Sequence, residues 1–317
     1  MSRHLVKHRR GVTLIELMVI CAILGVLMGM VLFALQGATE QARADRTRAQ
    51  VVKINDLIMS RWEGYRQRPL PLRMPAGTHP GTAAQIRLQA TWCLMRLEIP
   101  ERKTDILADV PSNLQTYGMK TPSLLTAYRA KLTALTGGSV ADQYPNWSYT
   151  NQQAECLYLI LSTLRDGDTT GLDFFTSSEV KDTDGDGVPE IVDGWGQPIR
   201  FLRWAPGFAS NVQSRDASQQ PDPFDPLKII NSLHAPDGTN PQGFALFPLI
   251  MSAGPDKTFD IFLDREAPDI VDYSSTTPAN FPYSAFGGNQ IGAPLDIDNN
   301  GSVDNIDNIT NHLTVTR

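Results

Sequence analysis

The chain has 317 residues, of which 41% are hydrophobic, and its 28 Lys or Arg and 34 Asp or Glu give a formal charge of −6. The negative charge is concentrated after residue 165, where 8 basic residues are outnumbered by 23 acidic ones. Proteins that bind nucleic acid use clustered positive charge to neutralise phosphates, so this balance excludes a nucleic-acid partner. The excess of acidic residues instead favours cations as ligands.

A long apolar segment follows a basic N-terminus. Four basic residues lie within residues 1–11, and residues 12–35 then contain a single charged residue, Glu16. A helix of that length rises roughly 36 Å, enough to cross a hydrocarbon core of about 30 Å. By the positive-inside tendency, the basic end stays in the cytoplasm and the rest of the chain lies outside.

Two ordinary membrane signals are alternatives for this segment. A cleavable secretory signal has a shorter apolar region and a small-residue cleavage site. A plain signal anchor fits the length but gives Glu16 no role, although a carboxylate near a helix centre costs about 2.5–3.5 kcal/mol to insert.

The stretch RRGVTLIELMVICAILGVL resembles the class III signal of type IV pilins and of type II secretion pseudopilins. It combines a basic leader, a glycine, an apolar start and a glutamate five residues after that glycine. The resemblance implies that a prepilin peptidase removes leader 1–11 by cutting after Gly11, and methylates Val12. Valine stands here where phenylalanine is usual in the family.

The resemblance also supplies a role for Glu16. Because charges buried in lipid are found paired, it implies that Glu16 neutralises the amino terminus of a neighbouring subunit in a filament. It implies a single-pass protein of the bacterial inner membrane with a periplasmic head. The implied partners are other pseudopilin subunits, the prepilin peptidase and the inner-membrane secretion machinery.

An amphipathic pattern continues the helix beyond the apolar segment. Its apolar stripe, at three- and four-residue steps, consists of Val51, Ile54, Ile58, Trp62 and Tyr65. No proline occurs between residues 12 and 68, so we predict a nearly continuous helix over that range. Residues 12–36 would span the membrane and residues 37–68 would pack on the head. Two helices with a break near Gly37 are the alternative.

Residues 69–165 are predicted to form a helical insertion, because AAQIRLQATWCLMRLEI, TPSLLTAYRAKLTAL and NQQAECLYLILSTL have helical apolar spacing without internal proline. Residues 166–317 change to short β-type runs separated by Gly, Pro, Asp and Asn, including PIRFLRW, GFALFPLIMSAG and TFDIFL. The predicted fold class is therefore α+β: a long N-terminal helix packed on a small antiparallel sheet, with a helical insertion and calcium-binding loops.

Two short motifs in the head extend the resemblance. DGWGQPIRF is similar to the Asp-x-Trp-Gly-x-Pro motif of major pseudopilins, and PLIMSAGPDK is similar to the strand and Ser-x-Gly-x-Asp that follow it there. The matching residues are Asp193, Trp195, Gly196 and Pro198, then Ser252, Gly254 and Asp256. Together with the leader they favour a pseudopilin over a generic membrane anchor.

The segment DTDGDGVPEIVD fits the calcium-loop pattern Asp-x-Asp-x-Asp-Gly. Calcium takes six to eight oxygen ligands, and alternate carboxylates converge when a glycine at the sixth position allows a sharp bend. The predicted ligands are Asp182, Asp184, Asp186, the carbonyl of Val188, Glu190 and Asp193. Helical flanks on both sides are missing, so we do not predict an EF-hand.

DIDNNGSVDNID near the C-terminus repeats the pattern. Its predicted ligands are Asp296, Asp298, Asn300, the carbonyl of Ser302, Asp304 and Asp307. Solvated Asp and Asn turns are the alternative for both loops. Against this, five acidic residues in one 12-residue loop would repel one another without a counterion. Major pseudopilins bind calcium in a C-terminal loop, so the resemblance supports one or two bound ions.

Of the three cysteines, only Cys93 and Cys156 lie outside the apolar segment, and a disulfide between them and two buried thiols are both open. The five histidines are dispersed and no phosphate-binding glycine loop occurs, so we expect no catalytic residues.

The sequence thus predicts a calcium-stabilised, pseudopilin-like subunit of a periplasmic filament that drives type II protein secretion. The alternative is a membrane-anchored, calcium-dependent adhesion or protein-binding module.

Overall fold

The computed structural model describes residues 13–232, 243–263, 282–283, 285–286, 289–297, 301 and 303–314. The leader with Gly11 and Val12, and the predicted ligands Asp298, Asn300 and Ser302, lie outside these residues. The chain separates into two compact units, Met1–Asp45 and Arg46–Arg317.

Helix α1 spans Leu14–Gly64. It continues through Gly37, so the alternative of two helices is wrong. In the first unit every large apolar side chain from Leu14 to Leu35 is more than half exposed, the least exposed at 53%. By length and composition this helix is able to cross a membrane.

In the second unit, the C-terminal part of α1 buries the predicted apolar stripe, and Val51, Ile54 and Ile58 are fully inaccessible. Polar residues on the same face also have partners within the head. Gln50 Nε2 donates to Glu179 Oε1 at 2.9 Å and to the Val192 carbonyl at 3.1 Å. Asn55 Oδ1 accepts from Asn311 Nδ2 at 2.9 Å. These bonds fix the helix in one register against the head.

Five helices follow α1 within residues 65–164. They are α2 (Pro80–Glu98), α3 (Lys103–Leu107), α4 (Ser112–Thr116), α5 (Ser123–Thr136) and α6 (Gln152–Thr163). The three predicted helical stretches coincide with α2, α5 and α6. Residues 152–161 of α6 are all buried, because this helix packs against α5 and against strands β4 (Glu190–Ile191) and β5 (Arg200–Leu202).

The strands are short and antiparallel. The remaining ones are β1 (Arg165–Asp166), β2 (Thr169–Thr170), β3 (Val180–Lys181), β6 (Leu249–Ser252), β7 (Ala285–Phe286), β8 (Asn289–Gln290) and β9 (Ile309–Thr310). β5, β6 and β9 form a three-stranded sheet in that order, and the others pair as hairpins β1–β2, β3–β4 and β7–β8. A four-residue helix, α7 (Asn311–Thr314), follows β9. The α+β class with small antiparallel sheets is confirmed.

One predicted strand is absent from the described part of this sheet. TFDIFL contributes only an isolated bridge between Ile261 and Pro294. Its apolar residues instead fill the core, where Ile261 packs with Leu202, Met251 and Ile291. The third strand comes from β9, near the C-terminus, which pairs with Met251 and Ser252 of β6.

A buried ionic cluster joins the helical segment to the sheet. Arg203, directly after β5, is 1% exposed, and its Nη1 donates to Asp105 Oδ2 at 3.0 Å and to the Ile99 carbonyl at 2.8 Å. Its backbone N–H donates to Glu101 Oε2 at 2.7 Å. The insertion is therefore part of the same core as the β-rich region.

Candidate functional site

Glu16 caps the first turn of α1. Its Oε2 accepts from the backbone N–H of Thr13 at 2.8 Å and from Thr13 Oγ1 at 3.0 Å. The Thr13 hydroxyl oxygen in turn accepts from the Glu16 N–H at 3.3 Å. This reciprocal pattern is a capping box, which satisfies N–H groups that a helix start leaves unpaired. The carboxylate thus has a role within one chain, which the sequence argument did not anticipate.

The first acidic loop connects β3 to β4 in a hairpin in which Lys181 pairs with Glu190. Asp182 organises the turn, because its carboxylate accepts from the N–H groups of Gly185 at 2.7 Å and Gly187 at 3.0 Å. Gly187 has φ +94°, a left-handed conformation that favours glycine. The bend predicted at the sixth position is present, although strands rather than helices flank the loop.

Two of the predicted ligands in this loop meet a third carboxylate from outside it. One oxygen each of Glu155, Asp184 and Asp186 lie within 4.8 Å of one another. Ser148 holds the two aspartates: its Oγ donates to Asp184 Oδ2 at 2.7 Å and its N–H donates to Asp186 Oδ2 at 2.6 Å. We call these three carboxylates the hairpin cluster.

Glu155 lies on α6 and is fully buried. Burial, and then the charge of Asp186, raises the pKa of Glu155 to about 10. Its Oε2 accepts from Trp147 Nε1 at 2.5 Å, whereas its Oε1 has no hydrogen-bond partner among the described residues. Such a carboxyl either carries a proton or faces a cation.

The other predicted ligands of the first loop have different surroundings. Glu190 is buried and accepts from Asn151 Nδ2 at 2.9 Å and from the Thr183 N–H at 2.9 Å, and burial raises its pKa to about 7. Asp193 Oδ1 accepts from the N–H groups of Trp195 and Gln197. Val188 is buried, and its N–H donates to Asp186 Oδ1 at 2.9 Å.

The second acidic loop repeats the turn geometry of the first. Asp296 Oδ2 accepts from the Gly301 N–H at 2.9 Å, the same five-residue separation as Asp182 and Gly187, and Gly301 has φ +88°. Asp304 Oδ2 accepts from the Ile297 N–H at 2.7 Å. Asp307 lies apart from these bonds and meets two carboxylates of the segment after β6.

Asp307 forms an acidic cluster with Asp256 and Asp260, in which one oxygen from each lies within 4.8 Å of the others. We call it the C-terminal cluster. Burial, and then the charge of Asp256, raises the pKa of Asp307. Gly254 has φ +75°, and a Cβ there would lie 2.5 Å from the Asp307 carbonyl oxygen, so glycine is needed for this close approach.

The N-terminal segment matches one known family. The model described as the prokaryotic N-terminal methylation motif matches residues 6–32, a range that includes Gly11, Val12 and Glu16. By its N-terminus, the chain is a type IV pilin-like protein. Comparison of the chain with curated proteins and with solved structures finds no match. The family match covers the leader and the first turns of α1, so the head of this pilin-like protein is interpreted from its own residues.

The two head motifs that resemble major pseudopilins contact each other. Ser252 Oγ donates to Asp193 Oδ2 at 2.6 Å, and both side chains are buried. The Ser252 hydroxyl oxygen also accepts from the Gly254 N–H at 3.2 Å. Asp193 therefore connects the turn after β4 to the end of β6.

Of the two alternatives left open for the cysteines, the structure has Cys93 and Cys156 as buried free thiols. Cys93 lies on α2, with its sulfur 4.0 Å from Arg96 Nη2, and Cys156 lies on α6. Burial raises the pKa of the Cys156 thiol well above its ordinary value, which keeps it protonated.

Sequence reasoning missed Glu155 and Asp260. A signal for Glu155 was present, since it is the only charged residue in the apolar helix QQAECLYLILST. A carboxylate in such a helix requires a partner when the helix is buried. Asp260 had no comparable signal, because only the fold brings it beside Asp307.

Proposed function

We propose that this pilin-like protein is a structural subunit of a periplasmic filament that drives protein secretion in the manner of type II systems. The observation that carries the proposal is the methylation motif with Glu16 at its fifth mature position. Processing by a prepilin peptidase and assembly into a pilus-like filament follow from that motif. We propose a structural role and no catalytic one.

The exposed apolar surface of α1 supports assembly. The large apolar side chains from Leu14 to Leu35 are each more than half exposed in the single chain. A continuous apolar surface of this extent is covered in functional proteins by lipid or by other chains. The inner membrane would cover it before assembly, and neighbouring subunits would cover it within the filament.

The contact between Asp193 and Ser252 supports a pseudopilin-like head. Both residues belong to motifs that resemble those of major pseudopilins, and they are joined by a buried hydrogen bond of 2.6 Å. The two motifs that carry the sequence resemblance are therefore in direct contact in this fold, where one positions the other.

We also propose that calcium stabilises the head through the C-terminal cluster. Asp256, Asp260 and Asp307 offer hard oxygen ligands at separations that one calcium ion spans, and the periplasm is open to external calcium. Thr258 Oγ1 lies 2.7 Å from Asp256 Oδ2 and 2.8 Å from Asp260 Oδ2, which holds these two carboxylates together. A cation there would offset their mutual repulsion.

Mass spectrometry of the protein purified from its own membranes tests the filament proposal. The expected N-terminus is methylated Val12, with residues 1–11 removed. A matched variant, Gly11→Leu, blocks the cleavage position and should retain Met1 and fail to enter filaments. An unprocessed Met1 in the unaltered chain would overturn the proposal and favour a membrane-anchored, calcium-dependent adhesion module.

Thermal melting of the full-length protein in detergent tests the calcium proposal. Calcium at a hundred times its Kd should stabilise the fold by about 2.7 kcal/mol per site relative to EDTA. Asp307→Asn should remove the part of this stabilisation that calcium bound at the C-terminal cluster provides. Equal melting temperatures in calcium and in EDTA would contradict calcium stabilisation and leave the processing result unaffected.

A further inference from the structure

We propose that Glu155 is a ligand for a calcium-sized divalent cation in the hairpin cluster, together with Asp184 and Asp186. The ion would join helix α6 to the β3–β4 loop. The inference rests on the calcium stabilisation proposed above and adds a second site, whose central ligand comes from the helical insertion and lies outside the acidic loop.

The separations fit one calcium ion. Calcium binds oxygen at about 2.3–2.6 Å, so two ligands on opposite sides of the ion lie up to roughly 5 Å apart. One oxygen from each of Glu155, Asp184 and Asp186 lies within 4.8 Å of the other two. Magnesium requires shorter bonds of about 2.0–2.1 Å and near-ideal octahedral geometry, which makes it the poorer fit.

An unpartnered buried oxygen points independently to a ligand. Glu155 is 0% exposed, and within the described part of the chain its Oε1 lacks a hydrogen-bond partner, although Oε2 accepts from Trp147. Leaving a buried acceptor unpaired costs about 1–3 kcal/mol, so native folds rarely keep one without a reason. A cation between Glu155 and the two aspartates would satisfy Oε1.

Lys103, whose charge interacts with Asp186 and Glu155, makes its hydrogen bonds elsewhere. Lys103 Nζ donates to the carbonyl oxygens of Tyr144 and Trp147, and it lies over the rings of Trp147 and Tyr149. It moderates the negative field of Glu155 and Asp186 from a distance. Neither of these hydrogen bonds reaches Glu155 Oε1, the oxygen that a metal ion would satisfy.

The hairpin cluster differs from the ligand set expected from the loop pattern alone. Glu190 and Asp193, the ninth- and twelfth-position residues, already accept hydrogen bonds from Asn151, Thr183, Trp195 and Gln197. Glu155 takes the place of a carboxylate from the end of the loop. Because the hairpin cluster includes Glu155 and the loop pattern includes Glu190, mutations of these two residues distinguish the two ligand sets.

The test uses terbium(III) as a luminescent calcium substitute, bound to the full-length protein in detergent micelles. Trp147 donates to Glu155, so exciting tryptophan should sensitise terbium in the hairpin cluster, and added calcium should displace the signal. Glu155→Gln keeps the side-chain size and an acceptor for Trp147 but removes the charge. We expect it to weaken calcium competition at least tenfold, roughly, as ligand charge controls affinity.

Two further variants separate ligation from folding. Asp184 is exposed, so Asp184→Asn should fold normally and weaken calcium to the same degree as Glu155→Gln. Glu190→Gln alters the ninth-position residue and should leave calcium competition unchanged. In EDTA, the melting temperature of Glu155→Gln should be at least as high as that of the unaltered protein. No ion is bound under these conditions, so the substitution removes no contact to a metal.

Unchanged calcium competition in both Glu155→Gln and Asp184→Asn would overturn the inference. Loss of binding in Glu190→Gln with retention in Glu155→Gln would also overturn it, and would favour the ligand set of the loop pattern. Asp307→Asn distinguishes the two sites: it should abolish the stabilisation from the C-terminal cluster and leave the tryptophan-sensitised signal intact. A missing methyl group on Val12 would bear on the filament proposal alone.

Discussion

Two helices of this protein each carry one carboxylate in an apolar run, and the two carboxylates have opposite surroundings. Glu16 lies in the exposed first part of α1, where its oxygen caps the helix through Thr13. Glu155 lies in the buried part of α6, residues 152–161, and one of its oxygens has no partner among the described residues. The part of α1 around Glu16 is exposed in the part of the chain that the structure describes, whereas the part of α6 around Glu155 is buried within the head.

This difference between Glu16 and Glu155 indicates the source of the group that balances each carboxylate. A charge that is exposed in the single chain but destined for lipid needs a partner from another molecule. A charge buried by its own fold needs a partner that enters the fold, and a cation meets that need. The same sequence feature therefore predicts assembly in α1 and ligand binding in α6.

Substitutions of Glu16 should have the largest effect. They separate the role of its negative charge from its role in capping helix α1. Glu16→Leu removes both and Glu16→Gln keeps an acceptor for Thr13, and both should still be inserted and processed. If the ion pair with a neighbouring amino terminus is required, both variants should abolish filament assembly, measured by electron microscopy of sheared filaments and by crosslinking.

Thr13→Val is the matched control for Glu16. It removes the hydroxyl half of the capping box and keeps the carboxylate, at a cost of about 0.5–2 kcal/mol to the helix start. Filaments should still form. Normal assembly of Glu16→Gln together with failure of Thr13→Val would assign Glu16 to capping alone, and the contrast with Glu155 would then disappear.

Most of the fold was accessible to sequence reasoning where the pattern was long and regular. The extended α1 and the helices α2, α5 and α6 followed from apolar spacing and from the positions of proline, because burial of one face imposes that spacing. The third strand of the sheet was missed, since the two residues of β9 carry no periodicity. Their pairing with β6 is set by tertiary contacts near the chain end.

The candidate sites divide in the same way. Glu16 and the glycine bends of the acidic loops are local features, and Gly187 and Gly301 both have the positive φ that the pattern requires. The clusters are not local, because Glu155 comes from α6 and Asp260 from the segment after β6. A spacing rule along the chain identifies neighbours in sequence and has no access to a ligand that only folding brings close.

Arg203 extends the comparison of Glu16 with Glu155, because it is a buried charge whose partners are present in its own fold. Replacing it with methionine should leave Glu101 and Asp105 buried without their main cation, although Arg102 lies 3.5 Å from Glu101. We expect a loss of about 3–5 kcal/mol in unfolding free energy, measured by urea denaturation at pH 7. Adding Glu101→Gln and Asp105→Asn should restore much of that loss, and equal instability of the triple variant would show that packing of the arginine stem dominates.

His312 shows a third way to keep charge out of the core, which is to remain neutral. It is 3% exposed, and its Nε2 lies 3.1 Å from the Pro248 carbonyl, so Nε2 carries the proton. Nδ1 then accepts from Ser210 Oγ at 3.0 Å. Burial lowers the pKa of His312 to about 4.

The unfolded chain, with a histidine pKa near 6.5, therefore binds a proton before the folded protein does, and stability from this group is lost as pH falls from 6.5 toward 4. The shift corresponds to about 3 kcal/mol at pH 4. Asp222 opposes this trend, because burial raises its pKa to about 6 and its contribution is lost as pH rises. The test therefore compares two proteins. His312→Gln keeps a donor for the Pro248 carbonyl but has no titrating ring. The unfolding free energy of the variant minus that of the unaltered protein, measured in urea, should increase by about 3 kcal/mol from pH 7 to pH 4. A pH-independent difference would mean that the ring accepts its charge inside the fold, and a buried charge in this head would then need neither a partner nor a cation.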